Sequence, residues 1–294
     1  MFRIDDATAA TSLPAPETAG TEGYFTEGNP ATGTPATKVR GSWLNMIQEE
    51  LRAIVVAAGL TPSKTTYNQV LAAIKTLVGP GRYLGTQVIT ASGTVNPGTY
   101  NGVTATKWRV RGCGAGGAGG GAPATSAGQI SFGTAGLSGA YAEFVTPAVA
   151  TSVTVGAAGA PGAAGASGGT GGNSAWGTLV TLQGGAGGAP QGPTTPPFMA
   201  ISSFSSVVGG TLTPLVNMPG SNGQLSLATS TSSLMGGAGG DGPLGRSGSA
   251  TQNGGGISAT GYGCGGGAAS NAPSLAARSG GAGTQGVFLV DEFA

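Results

Sequence analysis

"GAAGAPGAAGASGGTGG", residues 156–172, carries glycine at 156, 159, 162, 165, 168 and 171. A three-residue glycine period has two physical readings. Collagen requires it because only glycine fits at the axis where three chains meet. Any polyproline-II-like strand also repeats every three residues, so glycine at that period clears one whole face for close approach by a neighbour.

The other glycine-rich runs, at 112–121, 184–188, 236–248, 261–267 and 280–286, decide between these readings. All are short, and in the longest only Pro161 is a proline within the triplets, whereas a triple helix wants long uninterrupted triplets rich in proline. Sorting each run into three columns shows how many faces are bare. In 156–167 one column is glycine and Ala, Pro and Ser fill the others, which predicts a strand leaning on a single neighbour at the edge of a bundle. In 236–250 one column is glycine throughout (Gly236, Gly239, Gly242, Gly245, Gly248) and a second begins as Gly237 and Gly240. The expected architecture is a polyglycine-II bundle, with three-fold strands of one chain lying side by side and bonded through backbone amides. Flexible linkers would show no such register. "GAGGAGG" is followed by neither Lys-Ser/Thr nor a helical pattern, which argues against a phosphate-binding loop.

Composition narrows the function. The chain of 294 residues has 60 glycines, 18 prolines and only 8% charged residues, with a net charge of +1. Disordered chains are normally charge-rich, so unusual backbone packing is expected in place of disorder. Thinly scattered charge gives no footprint for nucleic acid or an anionic membrane. The most apolar run, "AIVVAAGL", is far short of a membrane span, and "MFRIDDATAA" is not a signal peptide, so the reading is a soluble protein made in a cytoplasm. The absence of histidine removes the commonest general base, Ser-His-Asp catalysis and the usual zinc sites. A polysaccharide-degrading enzyme would need paired carboxylates about 5–10 Å apart. Beyond residue 80 the carboxylates are Glu143, Asp241, Asp291 and Glu292, so no enzyme and no cofactor or metal is expected. Cys113 and Cys264 read as small buried packing residues.

Three zones follow along the chain. Residues 1–40 show neither helical nor strand period and predict an extended arm. Residues 41–80 predict a helical hairpin: Trp43, Ile47, Leu51, Ile54 and Ala58 share one face, with Ser42 as N-cap and Gly59 past the end. In the second helix Thr66 and Gln69 have capping-box spacing, and Tyr67, Leu71, Ile74 and Val78 stack on one side. A hairpin of this size needs a partner. Residues 81–294 predict a glycine-rich β domain with a loop insert at 189–235. In "TATKWRVRGCG", Thr106, Trp108 and Val110 alternate with Lys107, Arg109 and Arg111. Further short strands are expected at "AYAEFVTPA", "TSVTVGAA", "AWGTLVTLQGG" and "QGVFLVDEF". The stretches between glycine runs, among them "APATSAGQISFGTAGLSG", read as loops, and Trp108, Trp176, Phe144 and Phe288 as core. The fold class is therefore mainly β with polyglycine-II-like segments, plus a small N-terminal helical hairpin behind an extended arm.

"FRIDDATA", "YFTEGNPATGTPATKVRGSWLNMIQEELRAIVVAAGL" and "YNQVLAAI" together resemble the N-terminal segment of tail fibre and tail-tip proteins from phages and prophages of Gram-negative bacteria. "WRVRGCGAGGAGGG", "GGNSAWGTLVTLQGGAGG" and "GTQGVFLVDEFA" are similar to the glycine-rich domain that ends many such fibres; the insert departs from that pattern. The resemblance implies a virion protein whose N-terminus docks onto other tail or baseplate proteins and whose glycine-rich end faces a host cell-surface receptor, protein or glycan. It also implies a homotrimer. Candidate attachment or oligomerisation residues are Asn29, Pro30, Pro35, Trp43, Ile47, Leu51 and Ile54. Candidate receptor contacts are Phe198, Met199, Ile201 and Phe204 of the insert and Tyr262, each of which could instead plug a small local core. A structural tail component without receptor contact is the alternative.

Overall fold

The computed structural model describes residues 1–78 and 81–294; the expected end of the hairpin, at 79–80, lies outside the described residues. The chain forms two units, Met1–Arg82 and Tyr83–Ala294. It is mainly β, with two helices in the first unit. Among the described residues no helix is long and apolar enough to cross a membrane.

In the first unit helix α1 spans Gly41–Ala57 and α2 spans Gln69–Val78. Gly59 ends α1 as expected: its φ is +73°, its N–H donates to Val56 O, and Leu60 N–H donates to Val55 O, the paired bonds of a Schellman motif. Two details differ from expectation. The N-cap is Arg40, without a side-chain bond, because α1 already begins at Gly41 ahead of Ser42. Gln69 does not close a capping box; its buried amide accepts from Ser63 N and donates to Thr61 O, so it fastens the link between the helices.

The second unit joins a β-sandwich to a glycine bundle. One antiparallel sheet runs in the order Tyr83–Ile89, Val287–Phe293, Lys107–Cys113, Tyr141–Pro147, Val216–Met218. The other runs Val208–Gly209, Val180–Leu182, Ser174–Trp176, Thr151–Thr154, Gly93–Val95. Their inner faces meet in one apolar cluster: Trp108, Val110, Phe144, Phe288 and Val290 from the first, Val95, Val153, Trp176, Val180 and Leu182 from the second. Alternation in 107–111 put Trp108 and Val110 on the inner face and left Lys107 and Arg109 outside, the expected behaviour of a half-buried strand. Trp176 is the hub, with ring centroids 5.4 Å from Trp108, 6.1 Å from Phe144 and 5.3 Å from Phe288.

The bundle grows from the strand ends of this sandwich. Its centre is 114–122, where every successive N–H donates to a backbone carbonyl of one of three neighbours, with period three. Residues 114, 117 and 120 bond to Ala140, Leu137 and Thr134; 115, 118 and 121 to Gly172, Gly169 and Ala166; 116, 119 and 122 to Thr284, Gly281 and Arg278. Its carbonyls accept from three further runs, through Gly159 and Gly162, Gly185 and Gly188, and Gly266 and Ala269. The donors run antiparallel to their partners and the acceptors parallel, so six strands of the same chain surround one strand. Backbone therefore lies against backbone on every side of 114–122. This is the reason for the glycines: a Cβ on Gly116, Gly117 or Gly119 would overlap the carbonyl of Cys264, Ala186 or Gly267.

The opening stretch is not one strand. Residues 156–162 run out, the chain reverses at 163–166, where Gly165 takes φ +74°, and 166–172 run back, bonded to the outgoing half through Gly169 N–Ala160 O and Gly172 N–Ala157 O. The outgoing half does lie at an edge, with its glycine column buried and the intervening positions mostly exposed. It has three neighbours, however, not one: 114–122, 166–172 and 278–286. The 236–248 run also folds back on itself, through Gly239 N–Gly248 O. A second correction concerns "TAGLSGA", residues 134–140, which is a full member of the bundle and not a loop. Gly133, Gly136 and Gly139 clear one face, and a Cβ at each would overlap the carbonyl of Gly120, Gly117 or Gly114.

Candidate binding surface

The bundle holds its distal turns against one another. Thr125 N donates to Leu275 O and its hydroxyl to Ala272 O. Asn271 is fully buried; its amide nitrogen donates to Pro123 O and Ala276 O, while Oδ1 has no partner. Asn253 Oδ1 accepts from Ala272 N, and the Asn253 carbonyl accepts from Arg278. These bonds link 122–126, 251–254 and 271–278, so the turns are presented rigidly.

The insert is ordered. Phe198–Ala200, Ser226–Ala228 and Leu234–Met235 form a three-stranded antiparallel sheet. One face covers a small core of Ile130, Phe132, Ala228 and Leu234, with Phe198 stacked on Phe132 at 5.5 Å. On the other face Met199 pairs with Leu227 and Leu227 with Met235, giving a row of side chains 62%, 38% and 45% exposed. The sheet is tied to the bundle by Ser226, whose hydroxyl donates to Gly133 O and accepts from Gly237 N.

These positions sort the candidate contacts. Met199, Ile201 and Phe204 are exposed, whereas Phe198 packs onto the small core that the insert shares with Ile130 and Phe132. Tyr262 is half-buried against Cys113, Tyr141 and Val287. Leu227 and Met235 were missed because they fall in Ser/Thr-rich sequence without strand period; only the register brings them beside Met199.

Charge is unevenly placed. Residues 144–240 contain no Asp, Glu, Lys or Arg, while the outer face of the sandwich carries Arg109 with Glu143 at 2.6 Å and Arg111 with Asp291 at 3.1 Å. The bond to Arg109 holds the Glu143 carboxyl below its ordinary range. Glu292 is wholly buried and accepts from Trp108 Nε1 (2.8 Å), Gly98 N (2.8 Å) and Tyr100 OH (2.5 Å). Burial alone would raise its pKa, but these donors outweigh burial and hold it low, while Tyr100 is pushed up to about 12 by the bond to Glu292. This carboxylate is a structural pin for the 98–100 turn. Cys113 and Cys264 are buried and unbridged, their thiols pushed by burial up to about 12 and about 11.

In the first unit "GNPATGTPAT" makes a closed loop where an extended arm was expected. Asn29 caps the 3-10 turn Pro30–Thr32 through Oδ1 to Ala31 N, and Asn29 and Thr34 exchange backbone bonds. Gly28 has φ +71°, and a Cβ there would overlap the backbone of Thr34, Pro35 and Ala36; Gly33 has φ +69°. Asn29, Pro30 and Pro35 are exposed. Met1–Asp5 is anchored to the helical region through Arg3–Glu49 and Asp5–Lys64. Ile47, Leu51 and Ile54 are half-buried, and Trp43, 41% exposed, packs edge-on against Phe25 at 5.0 Å. The expected apolar side of α2 faces outward: Tyr67, Leu71, Ile74 and Val78 are exposed, and Gln69 and Ala73 are the buried residues.

The architecture is that of a mainly β protein with a small N-terminal helical region. No family model matches the chain. Over 78 residues it is 42% identical to the uncharacterized protein StfP of Escherichia coli strain K12; the match covers 26% of this chain and 35% of that protein.

Proposed function

We propose that this chain is a phage tail fibre or tail-tip protein, attached to the tail through residues 1–82 and binding a host cell-surface structure through loops of its glycine-rich domain. The observation that carries the reading is the enclosed glycine strand 114–122, a scaffold with little side-chain volume whose physical use is to fix the loops at its ends. Rigid presentation lowers the entropy lost on binding. Loops on such a scaffold are where recognition concentrates. The resemblance of the N-terminal segment to tail proteins supports the tail assignment. The outward apolar faces of α2 and of Trp43 on α1 suit attachment, and copies of the chain meeting there would form the homotrimer.

Binding of the purified chain to Gram-negative cells tests the reading, with a deletion of residues 190–234 as the comparison. The proposal expects the intact chain to adsorb and the deletion, checked for retained cooperative unfolding, to lose adsorption. A chain that assembles onto tails but never binds cells would instead be a structural tail component.

A further inference from the structure

We infer that the exposed row Met199–Leu227–Met235 on the outer face of the insert sheet is the contact surface for a protein partner on the host, not for a glycan. The inference rests on the adhesin reading above and assigns the partner's chemistry. An antiparallel sheet with one face on a core ordinarily turns polar side chains outward on the other. Here the inner face is filled by Phe198, Ala228 and Leu234, and the outer face at the same register is Met199, Leu227 and Met235. Ile201, the residue after this strand, is also 57% exposed.

Three observations indicate what covers this row. First, residues 144–240, which supply all three strands of the insert sheet, contain no Asp, Glu, Lys or Arg, so the strands that carry the row offer no guanidinium or ammonium of their own for a phosphate- or carboxylate-bearing saccharide, which such sites recognise by charge-assisted bonds. Second, the row contains no aromatic ring; its members are aliphatic and thioether side chains. Phe198, the aromatic of these strands, is turned inward onto Phe132, which leaves no flat platform within the row itself for stacking on a sugar ring; Phe204, 44% exposed, lies beyond these strands. Third, two of the three side chains of the row, Met199 and Met235, are exposed methionines. Methionine packs adaptably against apolar protein surface, and exposed methionines characterise protein-binding faces. The sheet is fixed to the bundle through Ser226, so little ordering is needed on contact. The partner that fits is a folded protein presenting aliphatic side chains without charge.

The experiment measures adsorption of the full chain to a panel of Gram-negative bacteria that includes Escherichia coli K12. Cells are used untreated, shaved with protease, or oxidised with periodate to destroy glycans. Leu227→Lys is compared with Val149→Lys, a charge placed at a 58% exposed position of the sandwich unit; circular dichroism and thermal unfolding verify both folds. Leu227→Lys should weaken adsorption at least about tenfold, as expected for the centre of an apolar contact, and Val149→Lys should leave it unchanged. Met199→Gln with Met235→Gln gives the same loss without adding charge. Adsorption should be insensitive to salt between about 50 and 500 mM, lost after protease and kept after periodate. Unchanged adsorption of Leu227→Lys, or loss after periodate alone, overturns the inference while leaving the adhesin reading intact. A Leu227→Lys change that converts an oligomer to a monomer would assign the row to a second copy and overturn it too. Failure of the unsubstituted chain to adsorb to any of the cells overturns both readings.

Discussion

Replacing Gly119 with alanine should destabilise the glycine-rich domain far more than adding one methyl group usually does. The new Cβ would overlap the carbonyl of Gly267 and lie 3.1 Å from Ala268 N. Both atoms are backbone, so no flexible side chain can swing aside. Relief requires the 263–269 run to draw back from 114–122, which breaks Gly266 N–Gly117 O (2.9 Å) and Ala269 N–Gly120 O (3.1 Å). Each buried bond left unmade costs about 1–3 kcal/mol, or about 2–6 kcal/mol for the two. Loss of glycine's freedom in the unfolded chain offsets about 0.4–1 kcal/mol of this. A net loss of about 1–5.5 kcal/mol in a domain of this size lowers the melting temperature by about 2–22 °C. Gly93→Ala is the control: a Cβ there meets nothing within 4 Å, and its effect should stay within about 0.5 kcal/mol. Thermal unfolding followed by circular dichroism measures both variants. If Gly119→Ala melts with Gly93→Ala, the glycines are not there to admit neighbouring backbone and the packing account is wrong.

Other perturbations reach different parts of the molecule. Glu292→Ala removes the acceptor of Trp108 Nε1, Gly98 N and Tyr100 OH and should cost at least about 2–4 kcal/mol, read by chemical denaturation. Because the folded protein holds the Glu292 pKa below its ordinary value, its contribution is present above the unfolded carboxyl pKa and is lost as pH falls through the lower, folded one; Glu292→Gln should flatten that acid limb of a stability–pH curve. With their thiols pushed up to about 12 and about 11, Cys113 and Cys264 should resist a thiol-specific disulfide reagent at pH 8 in the folded protein and both react in denaturant. Since all six neighbours of 114–122 come from one chain, residues 83–294 expressed alone should be monomeric by light scattering and melt cooperatively; obligatory association would show that the bundle is completed by other copies.

Much of this was legible in the residues, because each legible feature is a local consequence of geometry. Alternation in 107–111, the buried aromatics and Gly59 ending α1 follow from strand pleat, apolar volume and the left-handed C-terminal position. The three-residue period correctly implied close backbone approach. What the period cannot distinguish is a glycine that continues a run from one that reverses it: Gly165 sits in register with Gly162 and Gly168, yet it alone of the three takes a positive φ. Counting glycines also hid 134–140, where one clear column, Gly133, Gly136 and Gly139, suffices while Leu137 and Ser138 occupy the others. The insert's strands were illegible because short Ser-, Thr- and Pro-containing segments owe their pairing to long-range register, and the Met199–Leu227–Met235 row exists only across that register. The outward face of α2 shows the converse: its period was clear, but periodicity states that a face is apolar and not which partner covers it.

Hydrogen exchange of the backbone amides of 114–122, resolved by NMR on glycine- and alanine-labelled protein, tests the enclosed strand most directly. The account predicts that all of these amides exchange together in the slowest class, at the rate of global unfolding, because each donates to a neighbouring run. Exchange near the random-coil rate across this glycine-rich stretch would make it a flexible linker and contradict the fold.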